Sequence, residues 1–261
     1  MSFRIAVAGK GGVGKTTISA MLVRALHERT GKVIMAVDAD PNSNLGDKLG
    51  VRPERTIGEL REEMLKKADS LPAGQSKQEY VEYQMRLATV EGDGFDLLSM
   101  GRPEGPGCYC YINNILRTFL DSATDDYDYV VIDNEAGMEH LSRRTTKKMD
   151  VLLVVSDPTK TGIETASRLI SLAKEMQIEI GCVAIAMNGV RGVPPPAVDE
   201  IAGAMTTCRM FDVPFSDDLM NLNAEGRSLF ELGESDHAYK AVDAMIGSLL
   251  QGWILAAHPS T

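Results

Sequence analysis

Three groups of residues in this 261-residue sequence have types and spacings suited to chemistry. The first is Gly9-Lys10-Gly11-Gly12-Val13-Gly14-Lys15-Thr16, followed by Thr17, which satisfies G-x-x-x-x-G-K-[ST]. Glycines in such a run let the backbone curl until its N–H groups face one centre. A helix starting there adds partial positive charge, so the centre suits a polyphosphate. Gly11, Gly12, Val13, Gly14 and Thr17 would line the nucleotide phosphates, Lys15 would reach the β and γ phosphates, and the Thr16 hydroxyl would ligate Mg²⁺. The second group is acidic. Asp38 and Asp40 follow the apolar run from Lys32, and Asp133 ends the β-branched run from Tyr127. Asp133 fits the strand-terminal acid that holds Mg²⁺ through water, and Asp38 is the matching acid of the first pair. Asp38 and Asp40 also suit a plain turn and helix cap. The third group is Cys108-Tyr109-Cys110, flanked by Gly105-Pro106-Gly107.

These residues need a scaffold that brings strand ends together. Phe3–Ala8 reads as a buried first strand, too short for a signal-peptide core or a membrane span. Ile18, Met21, Leu22 and Ala25 then recur at helical spacing. Further strands are expected at Lys32–Asp38, Phe95–Met100, Tyr127–Asp133, Val151–Ser156 and Ile180–Met187, with a short one reaching Val213. Ala166, Leu169, Ile170, Ala173 and Met176 make a crossover helix between two of them, which gives a βαβ unit. The alternation predicts a single α/β domain over 1–252. Its mainly parallel sheet has about seven strands with helices on both faces, and a tail follows at 253–261. Ligands of such open sheets sit beyond the carboxyl ends of the strands, where Asp38, Asp40 and Asp133 emerge. A polar, helix-prone stretch at 57–94, with Ile57, Leu60, Met64 and Leu65 among Glu and Lys, reads as an appended helical pair: a solvated cover or a client-recognition surface.

Composition narrows the function classes. Apolar residues make up 44% and charged residues 25%, the mixture of a packed, water-soluble chain. With 27 Lys+Arg against 37 Asp+Glu the formal charge is −10, which disfavours a surface built to neutralise nucleic acid or anionic lipid. The C-terminal Trp253–His258 lacks the basic face of a membrane-surface helix. Four cysteines are too few for a disulfide framework, so a reducing cytoplasmic location is expected. Cys182 and Cys208 are expected to be inert core thiols.

The nucleotide loop, with its early Lys10, resembles the deviant Walker A of the nitrogenase iron protein and MinD/ParA class. That resemblance implies a homodimer that closes on ATP, with Lys10 entering the partner's site. Asp40 would position the attacking water, and the Gly137 amide would sense the γ-phosphate. Asn188, Pro214 and Asp217 would flank the adenine, though all three are also common turn residues. Glu135, where relatives of the MinD type carry other residues, is given no catalytic role.

Cys108 and Cys110 can point the same way on an extended segment, whereas on a helix they would diverge by about 200°. Alone they suit two packed thiols or half of a metal site. Two such pairs across a two-fold axis would supply four sulfurs for one soft or borderline metal. Together the nucleotide loop, the C-x-C and Glu135-Ala136-Gly137-Met138-Glu139-His140-Leu141-Ser142-Arg143 are similar to the CooC-type carbon monoxide dehydrogenase maturation ATPases and their acetyl-CoA synthase counterparts. The similarity runs from residue 3 to about 250. It implies a slow, switch-type Mg²⁺-ATPase that inserts nickel into a client enzyme, with Ni²⁺, or alternatively Zn²⁺, held by Cys108 and Cys110 of both subunits. His140 suits either a structural or a metal-binding role. Two rival functions are a MinD/ParA-like positioning ATPase and an iron–sulfur carrier or electron donor. The first would need a membrane or DNA contact; the second, four thiolates on a cluster.

Overall fold

A computed structural model describes residues 2–42, 44–66, 77–102, 126–136, 148–193 and 208–257. Cys108, Cys110, Gly137 and His140 lie outside the described residues. The chain opens on β1 (Phe3–Gly9), turns through the glycine loop into α1 (Lys15–Thr30), and returns along β2 (Ile34–Ala39). Then come α2 (Leu45–Leu49), α3 (Ile57–Lys66), α4 (Lys77–Ala88), β3 (Val90–Glu91), β4 (Phe95–Ser99) and β5 (Tyr129–Asn134). The remainder is β6 (Lys148–Ser156), α5 (Lys160–Glu175), β7 (Glu179–Val190), β8 (Arg209–Pro214), α6 (Asp217–Glu225), a 3₁₀ turn at Leu229–Glu231, and α7 (His237–Ala257).

Among the described residues the strands form one eight-stranded sheet in the order β3-β4-β2-β5-β1-β6-β7-β8. Every pair is parallel except the two-residue β3, which runs antiparallel to β4 at the edge and is the strand beyond the seven expected. Burial explains the strand composition. β1, β2 and the inner half of β6 are covered on both faces, so they read as nearly continuous apolar runs rather than alternating ones. On one face, Ile5, Val7, Ile34, Ala36 and Val131 pack with Met21, Leu22 and Leu26 of α1 and Val242 and Ile246 of α7. The opposite face is divided. Met35, Val37 and Ile132 meet Ile57 and Leu60 of α3 and Met85 of α4, while Ala6, Ala8 and Leu152 meet Ile163, Leu169 and Ile170 of α5.

The helical pair expected at 57–94 is α3 and α4, and it forms part of the core rather than only a solvated cover. Thr56 and Glu59 close the start of α3 reciprocally: the Thr56 N–H donates to Glu59 Oε2 at 2.8 Å and the Glu59 N–H donates to Thr56 Oγ1 at 3.3 Å. Tyr83 and Leu87 of α4 are exposed.

Two expectations need correction. Cys182 lies on β7 and Cys208 just before β8; both are only half-buried and pack against the edge of the core clusters rather than inside them. Burial nevertheless pushes the Cys182 thiol up from its ordinary value. The helix also runs past the proposed tail boundary. Trp253 packs on Phe3 with ring centroids 5.0 Å apart, and its Nε1–H donates to Asp150 Oδ1 at 3.0 Å, so α7 is docked to the sheet through this residue. No helix among the described residues is long and apolar enough to cross a membrane.

Candidate nucleotide and cation site

The site is assembled at the carboxyl ends of β1, β2 and β5. Gly12 and Gly14 take φ of +80° and +92°, a region that other residues adopt only with strain. At Gly14 the conformation demands glycine, and a Cβ there would lie 2.3 Å from Asn188 Nδ2 and push that side chain aside. Gly14 is also the N-cap of α1 and supplies no side-chain cap, so the first helical N–H groups are left for another acceptor. The exposed Gly11 faces Ala136, whose Cβ would lie 3.7 Å from a Cβ placed there. This brings the glycine loop against the segment following β5. Val13 is buried, and Thr16 and Thr17 are half-buried in the first turn of α1.

Lys15 is buried at 8% exposure, and its ammonium donates to the Lys10 carbonyl at 3.2 Å. Burial lowers its affinity for a proton, while Asp133, Asp40 and Glu135 raise it. Glu135 therefore contributes to the field at Lys15, which its sequence position did not suggest. Lys10 itself is exposed.

Parallel register aligns Ser99, Asp38 and Asp133 across β4, β2 and β5, all on the α1 face and all buried. Asp38 accepts from the Asp40 N–H at 3.1 Å and the Leu45 N–H at 2.8 Å. Asp133 accepts from the Ser19 hydroxyl at 3.0 Å and from Thr16. Ser19 was missed in the sequence; its signal was the three-residue spacing from Thr16, which puts both hydroxyls on one side of α1. Burial raises Asp38 to about 7 and Asp133 to about 6, and each feels the charge of a neighbouring acid. Two crowded carboxylates beside a threonine hydroxyl form an oxygen donor set suited to Mg²⁺, which neutralises their repulsion. Among the described residues no group of three or more His, Cys, Asp or Glu side chains is gathered for a metal. The expected Mg²⁺ set, by contrast, draws on two acids, a hydroxyl and phosphate oxygens.

The raised values give a pH prediction. An acid whose folded pKa exceeds its unfolded value makes the folded state bind more protons. The stability it contributes is present at low pH and lost as pH rises through the folded pKa. Metal-free protein should therefore lose stability from Asp38 and Asp133 between about pH 4 and about pH 7. Melting curves across that window should fall less steeply for Asp38→Asn than for the unaltered chain; parallel curves would contradict this.

Asp40 is half-buried, and its Oδ1 accepts from both the N–H and the Nδ2 of Asn42, at 2.8 and 2.9 Å. Asn188 reaches the glycine loop, its Nδ2 donating to the Val13 carbonyl at 2.8 Å. Pro214 ends β8, and the exposed Asp217 opens α6 behind the Ser216 cap. Of the sequence-derived residues, the structure thus brings together Lys10, Lys15, Thr16, Asp38, Asp40, Asp133 and Asn188 around the glycine loop.

Residues 4–181 match the family model described as an AAA domain. The chain is 40% identical over 248 residues to an uncharacterised ATP-binding protein of Methanocaldococcus jannaschii, covering 94% of this chain and 98% of that one. It is 35% identical over 190 residues to the carbon monoxide dehydrogenase accessory protein CooC of Rhodospirillum rubrum, covering 69% and 72%. Among solved structures it resembles the septum site-determining protein MinD of Pyrococcus horikoshii complexed with Mg-ADP. That likeness has a TM-score of 0.68 at 18% identity, over 95% of this chain and 96% of that one. A phosphate-cradling loop at the head of a mostly parallel sheet, a match over most of the chain and a shared overall fold agree, and the chain belongs to the AAA domain family of P-loop ATP-binding proteins, with the MinD/ParA-like fold.

Proposed function

We propose that the protein is an ATP-driven nickel-insertion factor for carbon monoxide dehydrogenase or acetyl-CoA synthase, working in the cytoplasm as a homodimer without a nucleic-acid or membrane partner. The observation that carries this reading is the pairing of the assembled nucleotide site with Cys108-x-Cys110, in a chain 35% identical to CooC. Nickel is the cargo. Cys108 and Cys110 of both subunits supply four sulfurs, a donor set that also accepts zinc.

The nucleotide residues divide the work. The N–H groups from Gly11 to Thr17 and the Lys15 ammonium bind and orient the phosphates of ATP, and Lys10 brings a second charge to the partner's nucleotide. Thr16, Asp38 and Asp133 would hold Mg²⁺, which supplies charge neutralisation at the β and γ phosphates. Asp40 orients the attacking water, and the Gly137 amide reads the γ-phosphate. Asn188, Pro214 and Asp217 flank the base. Hydrolysis ends the contacts that keep the dimer closed, so turnover is slow and each cycle yields one conformational step.

The test uses a nickel-free client. Protein loaded with nickel, incubated with ATP and apo carbon monoxide dehydrogenase, should restore activity well above that given by the same nickel as free salt. Equal activation by salt alone, or full activation without ATP, would overturn the reading.

A further inference from the structure

Asp40 is held by a neighbour that is itself held from another strand. Asn42 turns both its donors onto Asp40 Oδ1, and the Asn42 side-chain carbonyl accepts from the Arg102 guanidinium. Arg102 follows β4, and the backbone that carries it is fixed from two sides. The Met100 N–H donates to the Asp38 carbonyl at 2.8 Å, and the Met100 carbonyl accepts from the Gly58 N–H at 2.8 Å. Between them Gly101 takes φ of +65°, and a Cβ there would lie 2.4 Å from the Thr56 side chain. The turn is thus clamped between the end of β2 and the start of α3. The guanidinium that reaches Asn42 starts from an anchored backbone rather than from a freely moving loop.

From this relay we infer that Arg102 is a positioning residue for ATP hydrolysis, fixing Asp40 through Asn42. The inference rests on the reading of Asp40 as the group that orients the attacking water. The amide of Asn42 has a single carbonyl oxygen, and once the guanidinium donates to it the Nδ2 edge is directed at Asp40. The charge on Arg102 polarises the amide and strengthens that second donation. Without Arg102 the amide can rotate, and Asp40 then samples orientations that no longer match the path of the water. Arg102 and Asn42 are both exposed, so the effect falls on orientation and not on the folding core.

Steady-state ATPase assays on the full chain separate the possibilities. Arg102→Ala should lower kcat about three- to tenfold while KM for ATP stays within about twofold, because the lost contact acts in the transition state and not in binding. Arg102→Lys, which keeps the charge and a donating group but loses the planar guanidinium fork, should recover about half of the rate. Asn42→Ala should slow hydrolysis at least as much as Arg102→Ala. The double variant should be no slower than Asn42→Ala alone, since both act through one relay. Asp40→Ala is run in parallel. If it removes hydrolysis while Arg102→Ala keeps the original kcat, or if the two relay variants add, the relay is overturned. If Asp40→Ala itself hydrolyses normally, the water-orienting reading fails, and the role of Arg102 fails with it.

Discussion

Replacing Cys108 and Cys110 together by serine is expected to abolish tight nickel binding in the ATP-bound state while leaving ATP affinity within about twofold. A serine hydroxyl is a hard, protonated donor at neutral pH, so the change would remove every ligand of the proposed four-sulfur site. In the proposed site half the set would come from each subunit, so Cys110→Ser alone would already remove two of four sulfurs. Its affinity should drop by orders of magnitude rather than by half. Nucleotide binding has no reason to follow. The phosphate-facing residues sit on the glycine loop and the ends of β2 and β5, and neither cysteine belongs to that set. Equilibrium dialysis with Ni²⁺, beside titration with a fluorescent ATP analogue, reads both quantities. Retained stoichiometric nickel in the double variant contradicts the assignment.

Lys10→Ala is expected to uncouple ATP binding from assembly. The two loop lysines are separated by environment: Lys15 is buried and donates to the Lys10 carbonyl, whereas Lys10 is exposed. Burial serves a lysine that meets phosphate within its own subunit. Exposure serves one whose partner arrives from outside. Removing the Lys10 side chain leaves the loop amides and Lys15 intact, so ATP should still bind. The charge that Lys10 is proposed to supply across the interface would be lost, and hydrolysis should fall by about 10³, the lower range for a finger contributed in trans. Light scattering should then find protomers with ATP where the unaltered chain is expected to form dimers. Undiminished ATP-dependent dimerisation by Lys10→Ala would remove its role.

Much of the scaffold is written in local pattern. Buried parallel strands need apolar residues on both faces, so β1, β2, β5 and β6 stand out as runs, and α5 stands out through Ala166, Leu169, Ile170 and Ala173 at helical spacing, with Met176 as its C-cap. The glycine loop is equally legible, because its positive-φ positions and close contacts admit little else. β3 escaped because two residues at a sheet edge carry no period. The end of α7 escaped because the Trp253 contacts are long-range: Phe3 lies at the other end of the chain and Asp150 is 103 positions away.

The site shows the same division. Lys15, Asp38 and Asp133 are visible from spacing, but what surrounds them is long-range. Ser19 reaches Asp133 across 114 positions, and Asn188 reaches Val13 across 175. Arg102 reaches Asn42 only because β2 and β4 are neighbours in the sheet. Nor could burial be read at Cys182 and Cys208. Ile180–Met187 looks central in composition, yet its strand β7 is next to last in the sheet, and Cys208 precedes the edge strand β8.

The most direct test of the account is metal content measured against molecular mass for anaerobically prepared protein with Mg²⁺ and Ni²⁺, with and without ATP. The account predicts a dimer carrying one nickel per two chains when ATP is present, and protomers without that nickel when it is absent. A protomer that binds nickel alone, a mass indifferent to ATP, or iron and sulfide in place of nickel would contradict it.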